Sequence, residues 1–534
     1  MSSFNETESS DSTDVPPGHR QPRRQGTERS VVHGTVRSDF WRKRNLLSLD
    51  GGGIRGYWTL LVLHRLMESI YHEEMKQAEE DQDEIHSFWP EAYPENVSQL
   101  AKNHNEDNTP ERLPAARAFL LCHYFDFICG SSTGGLIAIM LGRFRMTVDD
   151  CLHEYKQMSH RIFGKPRWIS QRNIGMPWPK YSARGMKKAF QDVSLRRCDA
   201  STTGRHNSTT PTFPMTEGVS QTFVTTIRRT KNSSGAWMEV VYLIRSYHHE
   251  KDTQPNSVPT RRPVANSGTQ MTTLPKINYG PAETMEIWQV ARAATAAPMY
   301  FKEIRFTQQS GTNGQKYYFS DGGFGETNNP TDLGLLEIET LPGRHTVGAI
   351  VSVGTSRGKA DPSRKSVLNI VKRMAGKATN PDIVANAMNQ RNLENYWRFN
   401  DNKGINIELD DWKPSGWFTS TEHRGAKSLE TMNHAFNEWA CKTENIRWLE
   451  NCAKELVKTR RGRCQEKSRW EQFALGAHTY RCKHEDCCNE PSYSSRHQFM
   501  QHWHQQHEGD DDEETCQEPK FKKWIYQQGP ETRK

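Results

Sequence analysis

The chain has 534 residues, too many for one domain. With 34 % hydrophobic residues and a mean hydropathy of −0.86 it is also too polar to be globular throughout, so about two to four domains plus polar segments are expected. The net charge of +7 gives no general case for a nucleic-acid binder, and no uninterrupted apolar run of about 20 residues is present to cross a membrane. The eleven cysteines, several inside apolar runs, argue against a disulfide framework. The first residues lack both the basic start and the apolar core of an export signal, so the reading is cytoplasmic, peripheral at membranes.

Residues 1–43, rich in Ser, Thr, Pro, Gly and Arg, predict a disordered leader. Asn45–Asp50 reads as a buried strand running into Gly51-Gly52-Gly53-Ile54-Arg55-Gly56, and Leu60 to Ile70 follow at helical spacing. Residues 72–112 read as a polar insertion and Ala115–Cys122 as helical. A second strand ends at Gly130, directly before Ser131-Ser132-Thr133-Gly134 and an apolar helix. Helical patterning returns at Val148–Phe163, 165–182 reads as a packed loop, and Thr222–Ile227 and Val240–Ile244 as strands before a flexible excursion at 250–275. Ile287–Pro298 predicts a closely packed helix stopped by its proline, Tyr317–Ser320 a strand leading into Asp321-Gly322-Gly323, and Val347–Val353 another buried strand. Segments 365–400 and about 421–460 read as helical. Strands alternating with helices over 45–355 indicate an α/β fold with a mainly parallel sheet.

Three glycine turns, at 51–56, 130–134 and 321–323, each follow a strand, and sites in open α/β sheets collect where such strand ends meet. Gly130-x-Ser132-x-Gly134 has the frame of a nucleophile elbow, whose tight strand-to-helix turn presents one hydroxyl; a plain helix cap is the alternative reading of Ser132. Gly51–Gly56 has the letters of a phosphate loop. However, it lacks both the acidic residue a dinucleotide fold needs about twenty positions on and the Lys-Ser/Thr of a Walker loop. Backbone N–H groups there serve an oxyanion equally well. Asp321 is the base that chain order offers; His345, His423 and His434 are the histidine alternatives, none of them in a comparable strand-end setting. Asp50 and Asp126 read as structural, bonding turn amides.

Asp50-Gly-Gly-Gly-Ile-Arg-Gly56, Gly130-Ser-Ser-Thr-Gly134 and Asp321-Gly-Gly323, in that order, resemble the three signatures of the patatin-like phospholipase family. Phe125-Asp126, Ala291–Phe301, Asn328-Asn-Pro330 and Ser352–Thr355 add to the likeness, which covers about 45–400. Ser131 stands where the family often has Thr, and Gly323 where many members have Ala. The resemblance implies a three-layer sandwich and a cofactor-free lipid acyl hydrolase. Ser132 would be the nucleophile and Asp321 the base. Oxyanion donors would come from the loop Gly51, Gly52, Gly53, Arg55 and Gly56, with the Arg55 side chain orienting an anionic lipid at a membrane surface. A transacylase using the same dyad is left open.

Near the C-terminus, Cys482-x4-Cys487-x14-His502-x4-His507 has the ligand types and nearly the spacing of a ββα zinc finger, with Cys488, His484 and His504 as alternative ligands. One finger reads too few base pairs to imply a nucleic-acid target over a protein partner. A binding protein acting through this module, with a non-catalytic α/β scaffold, is the rival reading. The basic run Lys458–Arg463 reads as a helix end, or as a contact for anionic lipid or nucleic acid. The expected division is therefore a leader (1–43), a catalytic body (44–400), a helical extension (401–475), a zinc-finger-like module (476–508) and a tail (509–534).

Overall fold

The computed structural model describes residues 40–81, 119–164, 179–197, 211–215, 220–249, 277–298, 300–308, 315–324, 327–342, 345–356, 381–391, 393–405, 407–412 and 425–475, with short pieces at 479–481, 492–493, 498, 501–502, 505–506 and 526–528. The leader up to residue 39, the excursion at 250–275 and most of the insertion at 72–112 lie outside these residues.

Eight strands form one mixed sheet: β1 (Lys43–Leu49), β2 (Phe127–Ser131), β3 (Gln221–Lys231), β4 (Trp237–Arg245), β5 (Ile304–Gln308), β6 (Gln315–Asp321), β7 (Thr346–Val353) and β8 (Tyr396–Phe399). Its order is β5-β6-β3-β2-β1-β7-β8, with β4 also on β3. Strands β3, β2, β1, β7 and β8 are mutually parallel, whereas β4 and β6 run against β3 and β5 against β6. Alternate residues of the parallel strands feed two separate cores, the signature of a sheet covered on both faces. Leu47, Ile128, Val224 and Val351 face one core, and Leu46, Phe127, Phe223 and Ile350 the other.

The first face is covered by α1 (Gly56–Asp81), α2 (Thr133–Ala138), α3 (Val148–Phe163), α4 (Ala183–Arg197) and α5 (Ile287–Ala294). The second carries α6 (Thr331–Glu339) and α7 (Pro381–Gln390). Helix α3 has the predicted limits because Thr147 caps it, accepting the Asp150 N–H at 3.1 Å, with Asp149 and Asp150 in its first turn. The alanines of α5 permit close approach to α2, where a methyl placed on Gly135 would lie 3.4 Å from the Ala294 Cβ.

Several expectations are corrected. Helix α1 continues to Asp81, beyond the apolar stretch that ended at Ile70. Its buried stripe of Leu63, Met67 and Ile70 goes on to Glu74, fully buried and held by Arg460 and Arg461. A charged residue with a partner thus extends a stripe that hydrophobicity alone ends. Leu121–His123 is one short 3₁₀ turn, and Tyr396–Phe399, read as helix, is a sheet strand pairing with β7. The expected leader gives way at Phe40, with Trp41 buried against Trp470 and Phe473.

The helices of the expected extension, α8 (Ala426–Ala440), α9 (Thr443–Cys464) and α10 (Lys467–Leu475), are not a separate body: Met432, Trp439, Leu449 and Leu456 lie in the first core. The arginines of the basic run at the end of α9 face inward, Arg460 and Arg461 binding Glu74 and Arg463 binding Asp126 at 2.8 Å, while Lys458 is exposed. Further on, β9 (Thr479–Arg481) pairs antiparallel with β10 (Ser492–Tyr493) and with β11 (Tyr526–Gln528), so part of the expected tail is strand.

Behind the first glycine turn, Arg398 of β8 forks onto buried Asp50 at 2.9 and 2.6 Å and donates to Ser352 Oγ at 2.8 Å. Removing one partner of a buried pair strands the other charge. Arg398→Met is therefore expected to cost about 3–5 kcal/mol, read as a lower urea midpoint.

Candidate active site

Two strands meet end to end along one edge of β3. Strand β2 pairs with its first half and ends with Ser131 opposite Thr225; β6 arrives from the other direction and ends with Asp321 opposite Thr226. The chain then turns sharply after each. Ser132 takes φ 52° and ψ −123°, a left-handed conformation that is strained for a residue with a side chain. The turn is held from both sides: a Cβ on Gly130 would lie 2.1 Å from the Gly134 carbonyl oxygen, and one on Gly134 would lie 2.3 Å from that of Leu49. Glycine is the residue that fits at both.

The Ser132 hydroxyl donates to Asp321 Oδ2 at 2.6 Å, and Asp321 Oδ1 accepts the Gly323 N–H at 2.7 Å. Asp321 is 1 % exposed. Burial raises its carboxyl from the ordinary range up to about 7, against the opposing pull of the Ser132 and Gly323 hydrogen bonds. That value suits a general base near neutrality. Of the histidine alternatives, His345 lies beside Arg44 and His434 beside Glu438, and His423 is outside the described residues. Among the described residues, no histidine lines the pocket at Ser132.

The upstream turn packs directly over the serine, with a Cβ on Gly51 falling 2.9 Å from the Ser132 Cβ. Its amides are unequal as donors. The Gly51 N–H is committed to the Asn328 carbonyl at 3.1 Å, the Arg55 N–H to that of Gly52 at 3.2 Å, and the Gly56 N–H caps the short turn through Gly53 and Ile54. The Gly52 N–H makes a long bond of 3.2 Å to Thr133 Oγ1, and the Gly53 N–H has no partner among the described residues. The Arg55 side chain is buried, donates to the Ile407 carbonyl at 3.5 Å and is not among the residues lining the pocket.

The amide of Gly53 is oriented by groups that motif reading missed. Gly53 sits at φ 59°, and Tyr155 on α3 donates to its carbonyl at 2.6 Å. The Leu409 carbonyl accepts the Ile54 N–H at 2.8 Å and comes so near Gly53 that a Cβ there would be 2.0 Å away. Thr133 carried a signal in lying within the elbow motif; a tyrosine one helix away and a main-chain carbonyl carry none. Asp126, expected to bond turn amides, takes one, the Asn45 N–H at 2.8 Å, together with Arg44 and Arg463. Burial works against its ionised form, and the two arginines with that amide outweigh it, so its carboxyl is lowered.

Ser132, Thr133, Gly53 and Asp321 line one pocket. Most of its wall is apolar, with Leu136, Met158, Ile162, Met186 and Phe301 among the lining side chains. The arrangement brings a serine hydroxyl, a desolvated carboxylate and the Gly53 amide together on the wall of an apolar cavity.

Residues 113–335 match the family model described as patatin-like phospholipase. The chain is 25 % identical over 410 residues to calcium-independent phospholipase A2-gamma of Oryctolagus cuniculus, covering 74 % of this chain and 39 % of that protein. It is 24 % identical over 380 residues to the Homo sapiens protein of the same name (68 % and 36 %), and 22 % identical over 250 residues to phospholipase A I of Arabidopsis thaliana (43 % and 18 %). The chain thus spans well under half the length of these curated relatives. The matched segment holds both Ser132 and Asp321, and together with the relatives it makes this chain similar to patatin-like phospholipases.

Proposed function

We propose that the protein is a lipid acyl hydrolase of phospholipase A type, working through a Ser132–Asp321 dyad and an acyl-enzyme. The observation that carries this reading is the 2.6 Å bond from a strained serine to a buried carboxylate at the mouth of an apolar pocket. Ser132 Oγ attacks the ester carbonyl as its proton passes to Asp321 Oδ2, and the negative oxygen is held by the Gly52 and Gly53 amides. The proton then goes to the departing lyso-lipid oxygen. The acyl chain lies along the apolar wall, and water, activated in turn by Asp321, releases it. An acceptor alcohol in place of water would give transacylation, detected as a new ester among the products.

The C-terminal module belongs to the proposal in a narrower way. Cys482, Cys487 and His507 lie outside the described residues, as do the alternative ligands, and among the described residues no group of three metal-binding side chains converges. What supports a zinc finger is the antiparallel β9–β10 pairing, Tyr480 opposite Tyr493, and the Tyr493 ring stacked 5.0 Å from that of His502. We take Cys482, Cys487, His502 and His507 as the zinc ligands, with zinc supplying the folding free energy of the module. Its partner would be a protein or a nucleic acid.

Ser132→Ala and Asp321→Asn are each expected to lower acyl-ester release by roughly a thousandfold or more; activity surviving the serine change would sink the mechanism. The raised carboxyl predicts that acylation rises with pH through about 7, as Asp321 ionises. Stability runs the other way. A carboxyl raised in the folded state favours folding at low pH, and that advantage is lost between the unfolded value near 4 and about 7. Asp321→Asn should therefore melt higher than wild type at pH 8 while being inactive, and an unchanged melting temperature would contradict the desolvated base. Bound zinc, measured by elemental analysis, should be near one per chain and fall on Cys482→Ser.

A further inference from the structure

Past the level of Ser131, β3 runs on through Thr226–Lys231, held by β6 on one edge and by β4 on the other. At about 3.4 Å per residue, this ribbon reaches roughly 20 Å beyond the catalytic strand ends. Its outer part is composed unlike an ordinary solvated hairpin. Trp237, Met238 and Val240, within four residues of β4, are 47, 47 and 38 % exposed. Single exposed apolar residues need no explanation, whereas a cluster at a protruding tip does.

Cations surround these side chains. Register puts Lys231 opposite Trp237, and Arg229 beside both Glu239 and Tyr318, so their side chains share one face. The Arg229 guanidinium lies 4.6 Å and the Lys231 ammonium 5.2 Å from the Trp237 ring, which meets Tyr318 edge-on at 5.4 Å. On the opposite face Arg228 lies 4.2 Å from the Tyr242 ring and 5.1 Å from that of Tyr317. Arg305 and Lys316 add two more positive charges, against Glu239 within the ribbon and Glu303, which binds Arg229 at 2.7 Å. Tryptophan, tyrosine and methionine interleaved with long basic side chains match a bilayer interface, where aromatic rings lie at the headgroup level and cations meet anionic lipid. The ribbon also adjoins the pocket. Tyr300 and Phe301 line it and lead into β5, and Asp321 and Phe324 line it where β6 ends.

We infer that the β3–β4–β6 ribbon is a membrane-docking element, which seats the protein on anionic phospholipid with Trp237 and Met238 at the interface. The inference rests on the acyl-hydrolase reading for its purpose, since docking at this point delivers lipid to the Ser132 pocket, but its evidence is the surface itself.

Full-length Ser132→Ala protein, which cannot consume the lipid, is floated with vesicles of phosphatidylcholine alone and of phosphatidylcholine with phosphatidylserine. Binding is expected on the second, weakened by salt, and reduced about tenfold or more by Trp237→Ser with Lys231→Glu; Trp237→Tyr should retain it. With Ser132 intact, the double variant should hydrolyse a water-soluble short-chain ester within about twofold of the wild-type rate while losing hydrolysis of vesicle lipid in proportion to binding. Undiminished vesicle binding by the double variant overturns the inference. So does binding to duplex DNA in preference to anionic vesicles, or loss of soluble-ester hydrolysis with an earlier melt, which would make the ribbon a structural support. Should wild type hydrolyse neither ester while Ser132→Ala still docks through the ribbon, the enzymatic reading fails and the docking inference stands.

Discussion

The site depends on one feature of the sheet: consecutive residues of β3, Thr225 and Thr226, take as partners the last residues of two strands that approach from opposite directions. Strand β2 delivers Ser131 and hence Ser132, and β6 delivers Asp321. Hydrogen-bond register sets the distance between serine and aspartate, which are 189 positions apart in the chain. Register is specified strongly here because a one-residue slip of β3 would exchange the side chains of its two buried faces.

Within this frame, three buried aspartates meet different fates. Asp50 is forked by Arg398, and Asp126 is held by Arg463, Arg44 and an amide. Asp321, equally buried, accepts from a serine hydroxyl and a glycine amide, and no cation partners it among the described residues. Burial without a counter-charge makes a carboxylate costly to ionise, and in the same measure makes it a better base. The arginine-paired aspartates brace the turns, whereas the one without a cation beside it keeps a raised carboxyl.

That bracing ties distant helices to the body that holds the site. Arg463 on α9 reaches Asp126 just before β2, and Arg460 and Arg461 neutralise Glu74 on α1, the helix that follows the first glycine turn. Buried ion pairs of this kind add little net stability over an apolar replacement, but their geometry is directional. They fasten the two strand-end turns to one helical layer, which positions the groups there better than loops held by themselves.

Much of this was legible in the residues. Apolar alternation and glycine turns were enough to identify the α/β class, the elbow, the limits of α3 and the pairing of Ser132 with Asp321 as the residues to watch, because strands, caps and tight turns are governed by neighbours in the chain. Local pattern misled where a partner lay far off. Glu74 looked like the start of a polar insertion until Arg460 is seen beside it; Tyr396–Phe399 read as helix until β7 offers it an edge. The basic run of α9 looked like surface until Glu74 and Asp126 meet it. The same holds within the site. Which amides remain unspent depends on Asn328, Thr133 and Leu409, and Tyr155 holds the Gly53 carbonyl. The sequence by itself determined the chemical groups and the strand ends that carry them. Only the tertiary structure decided their distances, their partners and the basicity of Asp321, since burial and long-range hydrogen bonding are properties of the packed chain.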